Sequence, residues 1–228
     1  MKRLLMGLCT AAMVGLPATP AGAAPPNIYH TISNTHGFAH VVNTTGCEQT
    51  EVFVSSMAAM YAAQPGPVNK QGLTAVSVRI TDICAQPAGD IGAAAAGGVV
   101  LFQADGQNLT PLLADPRLTT ASITTEMPGT DGSGNAVTIS LAATWTGKGP
   151  LEHSTVHNHV HYPGEGNVSA TDNNLSRAAT ASVSVAVDGL AISGTDSSEA
   201  LLTRTKSRCI EVARPGVEEF FPCFGFPG

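Results

Sequence analysis

Two short alternating stretches decide the fold: Val76-Ser77-Val78-Arg79-Ile80-Thr81 and Val137-Thr138-Ile139-Ser140-Leu141. In each, apolar and polar side chains alternate, which places the apolar side chains together on one face of an extended strand. This period of two is typical of antiparallel strands that bury one face and expose the other to water. The two stretches therefore predict an antiparallel β protein.

Similar segments recur along the chain between turn signals rich in glycine and proline. Strands are predicted at residues 38–43, 51–57, 73–81, 99–104, 118–126, 136–145, 155–162, 178–187 and 209–213. Many short strands at this spacing favour an all-β antiparallel sandwich. The best helical candidate is residues 55–63 (SSMAAMYAA), which contain good helix formers but no clear periodicity.

Two pairs of similar segments raise the question of an internal duplication. Residues 39–46 (AHVVNTTG) resemble residues 140–147 (SLAATWTG), and residues 77–82 resemble residues 184–188. Two related β units would explain this spacing of about 100 residues. They would span residues 24–114 and 115–213, followed by an apolar C-terminal tail at 214–228. One large β domain is the alternative, because β-rich segments also resemble one another by chance.

The first 23 residues have the order of a secretory signal peptide. Lys2 and Arg3 precede an apolar run at residues 4–14, and Ala21-Gly22-Ala23 supplies a small-residue cleavage site. The apolar run is too short to span a bilayer, which needs roughly 20 residues. Cys9 follows Leu8 instead of a small residue at the cleavage point. We therefore expect a secreted or periplasmic bacterial protein with neither a membrane span nor a lipid anchor.

The charge of the chain argues against two classes of partner. Charged residues make up 12% of the chain, and the formal net charge is −6. Removing Lys2 and Arg3 with the leader leaves nine basic against 17 acidic residues, a net charge of −8. Nucleic-acid binders carry basic patches, and anionic membranes attract basic segments. We therefore expect an extracellular ligand that is neither a nucleic acid nor a membrane.

Four cysteines remain after the leader, namely Cys47, Cys84, Cys209 and Cys223. An even number of cysteines in an exported chain predicts disulfides, here two, with three connectivities open. We favour Cys47–Cys84 and Cys209–Cys223, because each closes a local loop. No C-x-x-C spacing is present, which argues against a redox or zinc site built on cysteine.

The sharpest chemical feature is a histidine-rich segment, His153-Ser-Thr-Val-His157-Asn-His159-Val-His161. All four histidines fall on odd positions and therefore share one face of a strand. Neighbours two residues apart stand about 6.6 Å apart at the backbone, so two imidazoles can converge on one ion. His157, His159 and His161 are therefore candidate ligands for Zn²⁺ or Cu²⁺. A closed site needs a further ligand, for which the candidates are His36, His40, Glu165 and Asp172.

The same histidines also fit an exposed polar face with no bound metal. On that interpretation the protein is a secreted, non-catalytic binding or structural module of undetermined ligand, with no resident cofactor. The alternative is a Zn²⁺- or Cu²⁺-dependent extracellular hydrolase that uses the histidine strand to activate water. Whether the chain is an enzyme stays open, since no nucleophile-elbow, Walker or dinucleotide motif is present.

A group of secreted bacterial β-rich proteins with no established activity resembles this chain. The resemblance rests on Trp145-Thr146-Gly147 with Gly149, on His159-Val160-His161-Tyr162, and on Arg177-Ala178-Ala179. Asp82-Ile83-Cys84 and Gly46-Cys47 are similar to two further short motifs of the group. The resemblance implies export and a shared fold, and it implies no activity.

Overall fold

The computed structural model describes residues 28–64, 68–85, 98–164 and 166–213, and strands occupy most of these ranges. The strands are β1 (Ile28–Thr45), β2 (Glu48–Gln64), β3 (Val68–Asp82), β4 (Val99–Asn108), β5 (Leu113–Ala114), β6 (Thr120–Asp131), β7 (Ala136–Gly147), β8 (Glu152–Tyr162), β9 (Gly166–Val187), β10 (Leu190–Asp196) and β11 (Leu201–Ala213).

The predicted all-β antiparallel class is confirmed, because every strand pair in the described ranges runs antiparallel. The best helical candidate, residues 55–63, does not form a helix. Those residues lie in β2, which pairs with β1 on one side and β3 on the other. Two flanking strands satisfy the backbone groups of this segment, and this tertiary context outweighs its weak helix propensity.

The strands form one sheet whose pairing closes on itself. Strand β1 pairs with β2, and the order continues through β3, β4, β6, β7, β9 and β11 back to β1. Strands β10 and β11 follow each other along the same side of β9. All eleven described strands belong to this sheet, so a division into the two sheets of a sandwich is not confirmed.

The core lies inside this closed circuit, where the apolar residues of the alternating stretches point. It includes the valines of β3 and the Ile139–Leu141 pair of β7, as the alternation predicts. Trp145 is 1% exposed, and its indole Nε1 donates a hydrogen bond of 2.8 Å to the carbonyl oxygen of Phe38. Residues from 24–114 and from 115–213 share this core cluster, and the proposed duplication stays a prediction.

Part of the sheet continues past the core, and we call this region the extension. It consists of all of β8, residues 166–177 of β9, 203–213 of β11, 28–36 of β1, 57–64 of β2 and 68–72 of β3, side by side in that order. Most of its described side chains are half-buried or exposed. A small cluster of Val168 and Cys209, with Tyr162 and Ala170 against it, packs one of its faces.

A disulfide ties the end of the β1–β2 hairpin to the end of β3. Cys47 and Cys84 are bonded, as predicted, with their Cα atoms 5.2 Å apart. The backbone N–H of Ile83 also donates to the carbonyl oxygen of Cys47 at 2.7 Å. Cys209 is disulfide-bonded as well. Its predicted partner Cys223 lies outside the described residues, so that pairing stays a prediction.

The predicted signal peptide at 1–23 and the apolar tail at 214–228 also lie outside the described residues. Within the described ranges there is no helix with the length and apolarity needed to cross a membrane.

Candidate functional site

The four clustered histidines lie on β8, an edge strand that pairs with β9 alone among the described strands. In an antiparallel pair, residues directly opposite each other project from the same face. His157 lies opposite Thr171, His159 opposite Ser169 and His161 opposite Asn167. The histidines share one face as predicted, and all four are exposed. We call this side of the extension the histidine face.

Polar residues of β9 hold two of the imidazoles. His161 Nδ1 lies 2.6 Å from Asn167 Oδ1, an amide acceptor, so Nδ1 is the atom that carries the proton. His157 Nδ1 lies 3.1 Å from the hydroxyl of Thr171. In both rings Nε2 is the atom left to contact a ligand. His159 makes no side-chain hydrogen bond within the described part of the chain.

The predicted additional metal ligands lie elsewhere. Asp172 is opposite Val156, so its carboxylate projects from the face opposite to the histidines. His36 of β1 also projects from that opposite face. Its row runs across Thr203 and Ser176 to Glu152, which is adjacent to His153 in β8 and therefore points away from the histidines. Glu165 lies outside the described residues. The described part of the chain therefore does not bring a third protein ligand to the histidine strand.

His36 and His40 have partners of their own within the sheet. His36 Nε2 is 2.9 Å from the Ser55 hydroxyl, and burial lowers the pKa of His36 below its usual value. His40 Nδ1 lies 3.1 Å from Glu199 Oε2, and its backbone N–H donates to Asp196 at 3.0 Å. Both histidines serve the packing of β1.

One group of potential metal-binding side chains does occur in the described ranges, formed by Cys47, Asp82 and Cys84. Its two sulfur atoms are joined in the disulfide, so neither is a thiolate that could bind a metal. Asp82 Oδ1 accepts the backbone N–H groups of Cys84 and Ala85 at 2.9 and 3.0 Å. This group is therefore a braced turn.

Following the register across the extension shows basic residues on the histidine face that the sequence interpretation missed. Thr171 of β9 pairs with His157 on one side and with Arg208 of β11 on the other, so these three residues form one row across the sheet. Asn173 pairs in the same way with Thr155 and Lys206, which gives a second row. Side chains that follow one another along one strand on the same face form a column, and Arg204 belongs to the same β11 column as Lys206 and Arg208. Lys70 of β3 belongs to the row of Thr155 and Lys206. The alternation Arg204-Thr-Lys206-Ser-Arg208 was the available signal, but the pairing partner of β11 is not written in it.

The opposite face of the extension carries the acidic residues. Glu152 and Asp172 lie there with the buried Glu211 of β11. Burial, followed by the negative charge of Glu211, raises the pKa of Tyr61 on that same face. Positive and negative side chains of the extension are therefore separated onto opposite faces.

A cavity of ≈ 360 Å³ opens at the β1–β3 side of the histidine face. Ser33, Met60 and Lys70 line it, and Leu109 and Pro111 form its far wall. Elsewhere, a cavity of ≈ 630 Å³ lies over Phe53, Ser77 and Asp105. The hydroxyls of Ser77 and Thr130 and the carboxylate of Asp105 line this second cavity, but among the described contacts neither hydroxyl is hydrogen-bonded to that carboxylate, so no activated nucleophile is seen there.

No family model, curated protein or solved structure matches this chain. The resemblance to a group of secreted bacterial proteins therefore stays an expectation.

Proposed function

We propose that this protein is a secreted, non-catalytic binding protein and that the histidine face is its binding surface. The observation that carries the proposal is the exposure of four same-face histidines on an edge strand, with no third ligand among the described residues. A catalytic metal site instead holds its ion with three protein ligands and one open position. An exposed, polar face supports binding without chemistry.

The Cys47–Cys84 disulfide supports the extracellular part of the proposal. Disulfides persist in oxidising compartments and are rare in the cytosol. The leader-like order of residues 1–23 agrees with this placement. Together they support a function outside the cytoplasm.

The test is retention of the protein on an array of neutral, carboxylated and sulfated polysaccharides. Wild type is compared with the triple variant His157→Gln, His159→Gln, His161→Gln. The matched control is Val156→Thr, because Val156 is 46% exposed on the same strand but lies on the opposite face. We expect wild type and the control to be retained by at least one polysaccharide, which is recovered uncleaved, and the triple variant to be lost. Absence of retention, or release of cleaved products, contradicts the proposal.

The alternative is a Zn²⁺- or Cu²⁺-dependent hydrolase built on His157, His159 and His161. It draws support from the Nε2 atoms of His157 and His161, which their Nδ1 contacts leave available. Calorimetric titration of untagged protein with each metal separates the two functions. The binding proposal expects weak uptake that falls equally with His159→Ala and His153→Ala. Tight one-to-one uptake, abolished by His159→Ala and kept by His153→Ala, would instead establish the metal site.

A further inference from the structure

The histidine face is a cationic surface on an acidic chain. The register of β8, β9 and β11 places Arg208 about two strand spacings from His157, roughly 9–10 Å, and Lys206 lies two residues along β11 from Arg208. Between them lie the uncharged side chains of Thr171 and Asn173 on β9. The described residues of these columns include no carboxylate. Since the whole chain has a net charge of −6, this local excess of positive charge is set by strand register and not by composition.

The charges on this face lack acidic partners. Lys206 and Arg208 are exposed and make no ion pair within the described residues. Arg204 differs, because its guanidinium donates to Thr35 Oγ1 at 3.0 Å and to the carbonyl oxygen of Pro116 at 2.8 Å. Unpaired, exposed cations attract anions and steer them to the surface. Lys206 and Arg208 are therefore the groups available to an anionic ligand.

The size of the face favours a polymer over a small molecule. Six strands side by side span about 24 Å, and the histidine column from residue 153 to residue 161 spans about 26 Å. Small ligands occupy concave sites that bury most of their surface. An exposed surface of this size instead suits an extended chain with a repeated charge. The ≈ 360 Å³ cavity beside Lys70 could take one residue of such a chain.

Two features of this face favour a polysaccharide ligand over a nucleic acid. Proteins that bind single strands stack successive bases on several aromatic side chains, whereas among the Phe, Trp and Tyr residues of the described strand segments only Tyr29 lies in register with this face. Duplex readers insert a helix or ribbon into a groove, whereas this surface is a broad sheet. Hydroxyl and amide side chains such as Ser169, Thr171 and Asn173 suit the hydroxyl groups of sugars.

The donors also favour sulfate over carboxylate. A planar carboxylate is matched best by the two-pronged guanidinium of arginine. Arg208 alone offers a free guanidinium in these columns, since Arg204 is engaged with backbone carbonyls. Lys206 is a single-point donor, and so is a neutral His157 or His159 imidazole that carries its proton on an exposed nitrogen; neutral His161 is not one, because Asn167 holds its proton on Nδ1. Such donors suit the three exposed oxygen atoms of a sulfate ester.

We infer that the ligand is a sulfated polysaccharide bound across Lys206, Arg208 and the β8 histidines. This inference rests on the proposed binding function and names its substrate class. The sugar backbone lies along the hydroxyl and amide side chains of β9, and the sulfate groups accept hydrogen bonds from Lys206 and Arg208 on one side and from His157 and His159 on the other. Binding of this kind weakens as salt rises, because exposed charge pairs are screened.

The experiment measures affinity for four probes at one pH and low salt, namely heparin, polygalacturonate, dextran and single-stranded DNA. We expect heparin to bind tightest and to lose about 100-fold in affinity with Lys206→Gln plus Arg208→Gln, since each charge-assisted hydrogen bond contributes roughly a factor of ten. The control Arg79→Gln removes an exposed charge from β3 that pairs in register with Glu51, outside the extension. It should bind heparin as wild type does. Native tryptophan fluorescence verifies that each variant is folded.

Different outcomes separate failure of this inference from failure of the proposed binding function. Equal or tighter binding of polygalacturonate or dextran, lost in the triple histidine variant, overturns the sulfate assignment and leaves the proposed binding function intact. Tighter binding of DNA overturns the polysaccharide assignment. Heparin binding that Arg79→Gln weakens as much as the β11 double variant overturns the location. Binding of none of the four probes overturns the inference, and the wider polysaccharide array then decides the proposed function by itself.

Discussion

Removing the Cys47–Cys84 disulfide tests how the closed sheet is stabilised. The cysteines are 37 residues apart, and cross-linking them restricts the unfolded chain. For a loop of that length, the chain-entropy relation gives a stabilisation of about 4 kcal/mol. Both cysteines are exposed, so replacing them with alanine removes little packing. The N–H groups that bind Asp82, and the bond from Ile83 to residue 47, are backbone groups that remain.

The change therefore acts mainly on the unfolded state. We expect the double variant Cys47→Ala, Cys84→Ala to lose about 4 kcal/mol of unfolding free energy, a large share of the 5–15 kcal/mol typical of domains. We also expect a steeper dependence on urea, because an uncross-linked unfolded chain exposes more surface. Equilibrium urea unfolding followed by the fluorescence of Trp145 measures both, since Trp145 is the one tryptophan of the chain and is buried.

Variants are preferred to a reducing agent, because reduction would also open the disulfide of Cys209. Ser133→Ala, an exposed turn substitution, provides the control and should leave the midpoint unchanged. A loss below about 1 kcal/mol with an unchanged slope would refute the reasoning, since the entropy relation requires more. That result would mean that the unfolded chain keeps residues 47 and 84 together without the bond.

Two further predictions concern buried polar contacts. Trp145→Phe should lower the unfolding free energy by about 2 kcal/mol, because it removes the 2.8 Å hydrogen bond to the carbonyl oxygen of Phe38 and leaves a small cavity. Urea unfolding followed by circular dichroism measures this loss. An unchanged unfolding midpoint would contradict the role given to this bond. For Asp196, burial opposes ionisation, but the backbone N–H groups of His40, Glu199 and residue 198 outweigh it and lower the pKa below its usual value. The stabilisation from this carboxylate is therefore present above the unfolded-state value of about 3.9 and is lost as the pH falls through the lower folded-state value. Asp196→Asn should cost roughly 1–2 kcal/mol at pH 7 and progressively less in acid; thermal melts across that range measure it, and a difference that grows in acid would show the sign to be wrong.

The alternating stretches were enough to predict the fold class, because period-two alternation is a local property of the chain. Valines at 76 and 78, and Ile139 with Leu141, point into the core as the pattern indicates. The pairing of Cys47 with Cys84 was predictable for a related reason, since it closes a local loop. Strand ends were harder to predict: β9 begins at Gly166, 12 residues before the predicted start at 178. Its first half is mostly polar on both faces, with Val168 and Ala170 as the apolar residues that pack one face, so the sequence carries only a weak burial signal there.

The sequence by itself determined the class of structure. It also determined that His153, His157, His159 and His161 share one face of a strand that ends at the Pro163-Gly164 turn. It favoured the pairing of Cys47 with Cys84 among three possible connectivities, and the structure confirms that pairing. Only the tertiary structure decided that β8 lies at an edge, that Asp172 projects away from the histidines, and that β11 sets Lys206 and Arg208 beside them. The physical reason is the distance along the chain between the residues that interact. Alternation depends on neighbours along one strand, whereas register joins strands far apart in the chain, and a shift of one residue would move every side chain of β11 to the opposite face.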